Sequence, residues 1–517
     1  MRWMSIGLAI VLAASVTGCN RNPSAAGAPP AAQASLPAIP GEEIAWREGD
    51  VDDALAEARE SGKPVLLYWG AKWCPPCNQL KSTLFRDPAF IAETRRFVPV
   101  HLDGDTAGAQ RWGERFGISG YPTVIVLRAD GSEIARLSGA SQRLAETLRV
   151  AAGRTTPIDD LFGKADKNPS ALSPDEWQLL AAFDWQNDPK HFGDRTRAAR
   201  LVEKLADAAP QGPIQRRFAL LALALGVETG KDGKVALSND QRARVEQVLP
   251  AVLASPDEVA ANRQTLSYAM PALVGALPAS ERAPLAALLI KALDGVYAND
   301  KLPIPDRMAT VNADIALDKA AAGAVSPATL AKVRERTGWA DRTAKEAMVR
   351  QSVISDAADL LHQAGDDAGA DSLLQAELKR SASPFYYMLD LASLAESRKD
   401  GQAAIAWARK AYETSEGQAT RVQWAIEYSK TVMRQAPGDT AEVEKSADAV
   451  IGELGKNTGD YYQRTRVKVA TWGGLLRQWS HANHGKAVFT RIDKSMAAVC
   501  GKQGEAAGKC RQWAKAA

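Results

Sequence analysis

Cysteine and histidine are scarce in this chain, with five of each among 517 residues. A structural zinc site takes four such ligands, usually as two close pairs. The cysteine pairs on offer, Cys74/Cys77 and Cys500/Cys510, lie more than four hundred residues apart, and no histidine stands at ligand spacing from either. That excludes zinc as the purpose of the thiols, and no metal or other cofactor is expected. An excess of charge of one sign is missing too. Sixty-four basic residues face 61 acidic ones, for a formal net charge of +3, with no basic run and no aromatic motif of the RNA-binding type. Nucleic acid is therefore not an expected partner. The apolar stretch from Ile6 to Val16 is too short for a stable membrane span.

What is present is a dithiol, Trp73-Cys74-Pro75-Pro76-Cys77. The run Val65-Leu66-Leu67-Tyr68-Trp69 ahead of it reads as a buried strand. Behind it, Gln79 to Phe85 fits a helix with the two cysteines at its start. A helix N-terminus offers free N–H groups and a partial positive charge. Both favour thiolate over thiol, and the thiolate is the nucleophile. Cys74 is expected to be the exposed attacker and Cys77 the resolving thiol.

Around this motif the order Gly62-Lys63-Pro64-Val65, Ala71-Lys72-Trp73-Cys74, Phe85-Arg86-Asp87-Pro88 resembles a thioredoxin fold. It is similar in particular to the C-terminal, periplasmic thioredoxin-like domain of the bacterial thiol:disulfide interchange proteins. Gly117-Ile118-Ser119-Gly120-Tyr121-Pro122-Thr123 resembles the cis-proline segment of such folds, which makes Pro122 that proline. The resemblance covers about residues 44–153, less than a quarter of the chain. It implies a protein-disulfide oxidoreductase with Cys74 and Cys77 catalytic and with Trp73, Pro75, Pro76, Tyr121 and Pro122 on the substrate-binding side. Val124 to Leu127, the Asp130-Gly131 turn and Ile134 to Leu137 read as a hairpin, and Ser141 to Ala151 as the closing helix. The chain also departs from the family. Tyr68 and Pro99 stand where the family carries a buried aspartate and its lysine partner, so the usual proton acceptor for Cys77 is missing or replaced. Pro75 stiffens the loop and removes one N–H that could reach the thiolate. His101, on the strand expected from Phe97, reads as a structural histidine more readily than as a copper ligand.

The N-terminus reads as an export signal. Arg2 precedes the apolar core, and Val16-Thr17-Gly18-Cys19 resembles a bacterial lipobox, which implies cleavage before Cys19 and lipid on its sulfur. Asn20 leaves inner and outer membrane open. With Cys19 lipidated and Cys74/Cys77 the redox pair, Cys500 and Cys510 remain to close a structural disulfide or, alternatively, a second redox pair. A structural disulfide suits an oxidising periplasm. The expected plan is a signal peptide over 1–18, an Ala/Pro-rich linker over 19–40, a thioredoxin-like domain over 41–155 and an all-helical region over 156–517. The linker reaches ~60 Å as polyproline and ~25 Å as coil.

Beyond residue 156 apolar residues recur at three- and four-residue spacing, as in Leu201/Leu205 and Phe218/Leu221/Leu225. Ser173-Pro174 and Ser326-Pro327 read as helix starts. Leu361, Ala370, Leu374 and Leu378 recur 33 residues later as Leu394, Ala403, Trp407 and Ala411, which resembles degenerate tetratricopeptide-type pairs. An ordinary helical bundle is the alternative. Trp185, Trp407, Trp424 and Trp472 read as packing residues rather than a binding surface, and Asp159-Asp160 and Asp366-Asp367 as solvated turns. The expected function is a lipid-anchored periplasmic thiol–disulfide oxidoreductase. Its expected partners are disulfide-containing periplasmic proteins and a thiol electron donor. A protein-binding lipoprotein with an accessory redox-sensitive domain is the alternative, and assistance in cytochrome or copper-site assembly a further one.

Overall fold

The computed structural model describes residues 43–515 except 49, 119, 138–143, 155, 186–188, 193–194, 230–234, 418–419 and 457–460. The expected signal, linker and lipid-bearing Cys19 lie outside the described residues, as do Ser119 and Ser141.

The strand expected from the apolar run is β2 (Val65–Gly70), buried along its whole length. Such a strand needs neighbours on both edges and cover on both faces. β3 (Val98–Asp103) pairs with it in parallel, and β4 (Thr123–Leu127) antiparallel. β1 (Arg47–Glu48) and β5 (Glu133–Leu137) complete a sheet of order β1-β3-β2-β4-β5. Side-chain alternation divides the cover. Val65, Leu67 and Trp69 point to α1 (Val51–Ser61) and α4 (Ala107–Phe116). Leu66 and Tyr68 point to the opposite face, with Leu80 of α2 (Pro75–Ser82), Phe90 of α3 (Pro88–Thr94) and Leu148 of α5 (Leu144–Ala152).

The caps are local. Asp87 accepts from the Phe90 N–H at 2.8 Å with Pro88 at the first helical position, and Thr106 accepts from the Ala109 N–H at 3.3 Å. Gly117 ends α4 at φ 63°, where only glycine turns the chain without cost, and so delivers the segment that leads into β4.

The rest of the described chain is helical apart from one two-stranded ribbon, Glu228–Thr229 with Val235–Ala236. Ser173 forms a full capping box with Glu176, and Ser326 caps the helix Pro327–Thr343. The acidic pairs stand at helix starts rather than in turns, with Asp159 and Asp160 exposed to solvent as expected. Asp159 and Asp160 occupy the first turn of Ile158–Lys167, and Asp366 caps Asp367–Glu377 by accepting from the Gly369 N–H. Carboxylates gather there because the helix N-terminus is electropositive. Trp185, Trp424 and Trp472 are buried. No helix among the described residues is long and apolar enough to cross a membrane.

The two regions are not beads on a string. One hydrophobic core runs from Ile44 and the α2/α3/α5 face of the sheet through helices as far as Leu317. Leu137 at the end of the edge strand β5 bridges to Phe183 in the helical region. Residues 42–517 form one compact unit.

Candidate active site

The dithiol sits where β2 gives way to α2. The helix begins at Pro75, two residues after Trp73, and ends at Ser82, so it starts earlier than the sequence pattern indicates. A 3-10 turn, Leu84–Arg86, follows it. Cys74 is the N-cap. Pro75 and Pro76 fill the first two helical positions and have no N–H to give. The first available donor is therefore Cys77, whose backbone N–H lies 3.2 Å from the Cys74 sulfur. A disulfide joins Cys74 to Cys77. Once it opens, the same N–H and the helix dipole favour a thiolate on Cys74, an effect of about 0.3–1 kcal/mol for a single charge at a helix end.

The Tyr121–Pro122 peptide bond is cis and leads directly into β4. The Tyr121 ring stands 6.1 Å from that of Trp73. Its hydroxyl donates to the Gly104 carbonyl at 3.0 Å and accepts from the Gln110 side chain at 2.9 Å. The Trp73 indole N–H donates to Asp105 at 2.7 Å. Sequence reasoning passed over Asp105. The signal was the turn Asp103-Gly104-Asp105-Thr106 that follows β3, at the same end of the sheet as the dithiol. Burial raises the Asp105 carboxyl above the usual aspartate range, against the pull of its hydrogen bonds from Thr420 and Trp73.

Tyr68, in place of the family's acid, is buried in the core, and burial raises its phenol so far that it stays neutral. Its ring stacks on His101 at 5.1 Å, directly across the β2–β3 ladder. Pro99 pairs with Leu66 two residues earlier.

The expectation of an exposed attacker is corrected by the structure. Cys74 is 2% exposed and Cys77 fully buried. The cover comes from the distant helices. Phe385 and Met388 of the helix Phe385–Ser397, with Ala411 and Trp424, form one apolar cluster with Ala71, Trp73, Cys74 and Cys77. Tyr386 stacks on Trp73 at 6.1 Å, and Trp424 packs edge-on to Phe385 at 5.0 Å and to Tyr386 at 5.2 Å. The Arg464 guanidinium lies 4.4 Å from the Tyr121 ring centre and 5.6 Å from that of Trp73. Thr420 donates its hydroxyl to Asp105, and Gly417 lies so close to the same carboxylate that a Cβ there would collide with it. Asn78 of α2 bonds Gln351, Arg86 pairs with Glu346 at 3.1 Å, and Glu114 of α4 takes both Lys509 at 2.9 Å and Arg466 at 3.2 Å. The magnitudes rank these contacts. Aromatic pairs add about 0.5–1.5 kcal/mol each beyond their buried area. Exposed ion pairs such as Arg86–Glu346 add about 0–1 kcal/mol. The aromatic cluster is the principal bond between dithiol and cover.

With this geometry in place, relatives can be set beside it. Residues 51–150 match the family model for a thioredoxin-like domain. Thioredoxin H-type of Oryza sativa subsp. indica is 30% identical over 99 residues, which is 19% of this chain and 75% of that protein. The chain belongs to the thioredoxin family. A second set of relatives shares the same domain. Thiol:disulfide interchange protein DsbD 1 of Pseudomonas aeruginosa is 33% identical over 137 residues, 24% of this chain and 22% of that protein. Thiol:disulfide interchange protein DsbD of Vibrio vulnificus is 32% identical over 97 residues, 18% and 16% of the two chains. The chain thus spans about a fifth of the length of these interchange proteins.

Proposed function

We propose that this protein is a thiol–disulfide oxidoreductase that works on disulfides of exported proteins, tethered by lipid on Cys19 to the periplasmic face of a bacterial membrane. The observation that carries the reading is the Cys74 sulfur at the N-cap of α2, bonded to Cys77 and receiving the Cys77 N–H. In the reducing direction the Cys74 thiolate attacks one sulfur of a client disulfide. That S–S bond breaks, a mixed disulfide forms and the departing client thiolate takes a proton. Cys77 then gives up its proton and attacks the Cys74 sulfur, which releases the second client thiol. Two electrons and two protons pass to the client, and a thiol donor upstream must return them. No cofactor enters. Trp73, Pro75, Pro76, Tyr121 and Pro122 border the exchange site in this reading, and Cys500–Cys510 is a structural bond. The helical region recognises client or partner through tetratricopeptide-like pairs. Asp366 and Asp400 cap successive second helices 34 residues apart, after Gly365 and Lys399 at φ 87° and 61°, which supports that repeat.

A Cys77→Ala variant tests the reading, because it leaves the mixed disulfide on Cys74 unresolved. Mass spectrometry of the trapped species is expected to return exported proteins or a membrane thiol donor. A reactive Cys74 that traps nothing defeats it.

One observation favours a second reading, a binding protein whose thioredoxin-like part is a closed module: the burial of Cys74. It requires that Cys74→Ser leave the cellular role intact.

A further inference from the structure

We infer that the C-terminal helices form a lid over their own dithiol, and that a client reaches Cys74 only after displacing it. Disulfide exchange needs a foreign sulfur in contact with the attacking one. In the closed chain Cys74 and Cys77 are 2% and 0% exposed, and the room a client would take is filled by Phe385, Tyr386, Met388 and Trp424. The lid touches the groups that border the sulfur. Tyr386 stacks on Trp73, Arg464 lies on Tyr121, and Thr420 binds Asp105, the carboxylate that holds the Trp73 indole.

The same interface is built to part. Among the described residues, the Trp424 indole N–H and the Nε and Nη1 of Arg464 are buried without a hydrogen-bond partner. Each such donor costs free energy that water returns on opening, so these three lower the cost of parting the interface. The polar latches are few and local: Asp105–Thr420 and Asn78–Gln351 beside the dithiol, with the ion pairs of Arg86 and Glu114 at the rim. As a means of regulating disulfide exchange the lid rests on the oxidoreductase reading above; as a physical cover it stands independently.

The test uses the full chain, reduced, with Cys77→Ser so that Cys74 cannot re-close. Modification of the Cys74 peptide is timed by mass spectrometry with two reagents, iodoacetamide and a polymer-linked maleimide. Tyr386→Ala removes the ring on Trp73. Thr420→Val removes only a hydroxyl at nearly constant shape and protects the test against a misfolded first variant. With the lid intact, the polymer reagent is expected to lag iodoacetamide by about tenfold more than it does in either variant, the mark of a local opening equilibrium. The same ratio of rates in all three proteins overturns the lid. Exchange of Cys74 with glutathione disulfide, followed in the same samples, separates the two claims. Unchanged ratios with ready exchange sink the lid and leave the oxidoreductase. Ratios that shift while exchange is absent keep the lid and sink the oxidoreductase.

Discussion

Two disulfides close in this chain, across sequence separations of three and ten, and their four sulfurs are all buried. They stand at opposite poles of their helices. Cys74 caps the N-terminus of α2. Cys500 is the last residue of the helix Lys486–Cys500, and Cys510 the last of the short helix Ala507–Cys510. A helix start favours a thiolate and a helix end opposes one. The surroundings differ as well. Cys500 and Cys510 share a cluster with Trp472 and Trp513, whose rings lie 5.3 Å apart, and that cluster belongs to the helical region alone. The cluster around Cys74 joins two regions more than three hundred residues apart in sequence. Burial alone thus does not tell the two disulfides apart; helix polarity and the cover on Cys74 do.

The strongest attempt to break this contrast is functional. Cys74→Ser is expected to lower thiol-dependent reduction of a protein disulfide by about a thousandfold or more, since the nucleophile is gone. Cys500→Ala with Cys510→Ala is expected to keep the rate within about threefold, because the change is remote from the dithiol. Comparable losses in both proteins would erase the distinction.

Stability should rank the pairs in reverse. By loop-closure entropy, removing the Cys500–Cys510 bond is expected to cost about 2–3 kcal/mol, and removing the shorter Cys74–Cys77 loop about 1–2 kcal/mol. Urea unfolding of the two double variants measures both. A larger loss at the dithiol would assign the fastening role to the wrong end.

The smallest effect sharpens the contrast through pH. Burial raises the Asp105 carboxyl above its value of 3.8 in an unfolded chain. Between the two values the folded protein holds a proton that the unfolded chain has released, so stability falls as pH climbs from about 4 and levels off above the folded value. Asp105→Asn is expected to remove that part of the slope, and the Cys500/Cys510 double variant to keep it. Urea midpoints across pH 4 to 7 read the difference.

The sheet, the dithiol helix and the cis-proline segment were legible because each is written locally. An apolar run bounded by turn residues, prolines beside a cysteine and a glycine before a Tyr-Pro step all act within a few residues. Ser173 and Ser326 announced their helices for the same reason. The cover was not legible. Trp73 meets Tyr386 across more than three hundred residues, and hydrophobic spacing records only that each side chain packs, not against what. The aromatic run Phe385-Tyr386-Tyr387 was the available hint, since three such rings in a row face more than one side of a helix. That Asp159 and Asp160 are solvated was legible, but not that the acidic pairs start helices, because a carboxylate ahead of a helix looks like a carboxylate in a turn until the cap geometry is seen.

The shared core has a consequence for how such a chain can arise and be handled. A stop codon after residue 155 would strip the helices that share a core with the outer side of α5 and with β5, and would bare the edge that Leu137 shares with Phe183. The fragment would display a greasy wall and an open sheet margin, a recipe for aggregation rather than a portable thioredoxin. A lineage that acquired these helices and let the wall adapt to them cannot discard them without resurfacing the sheet.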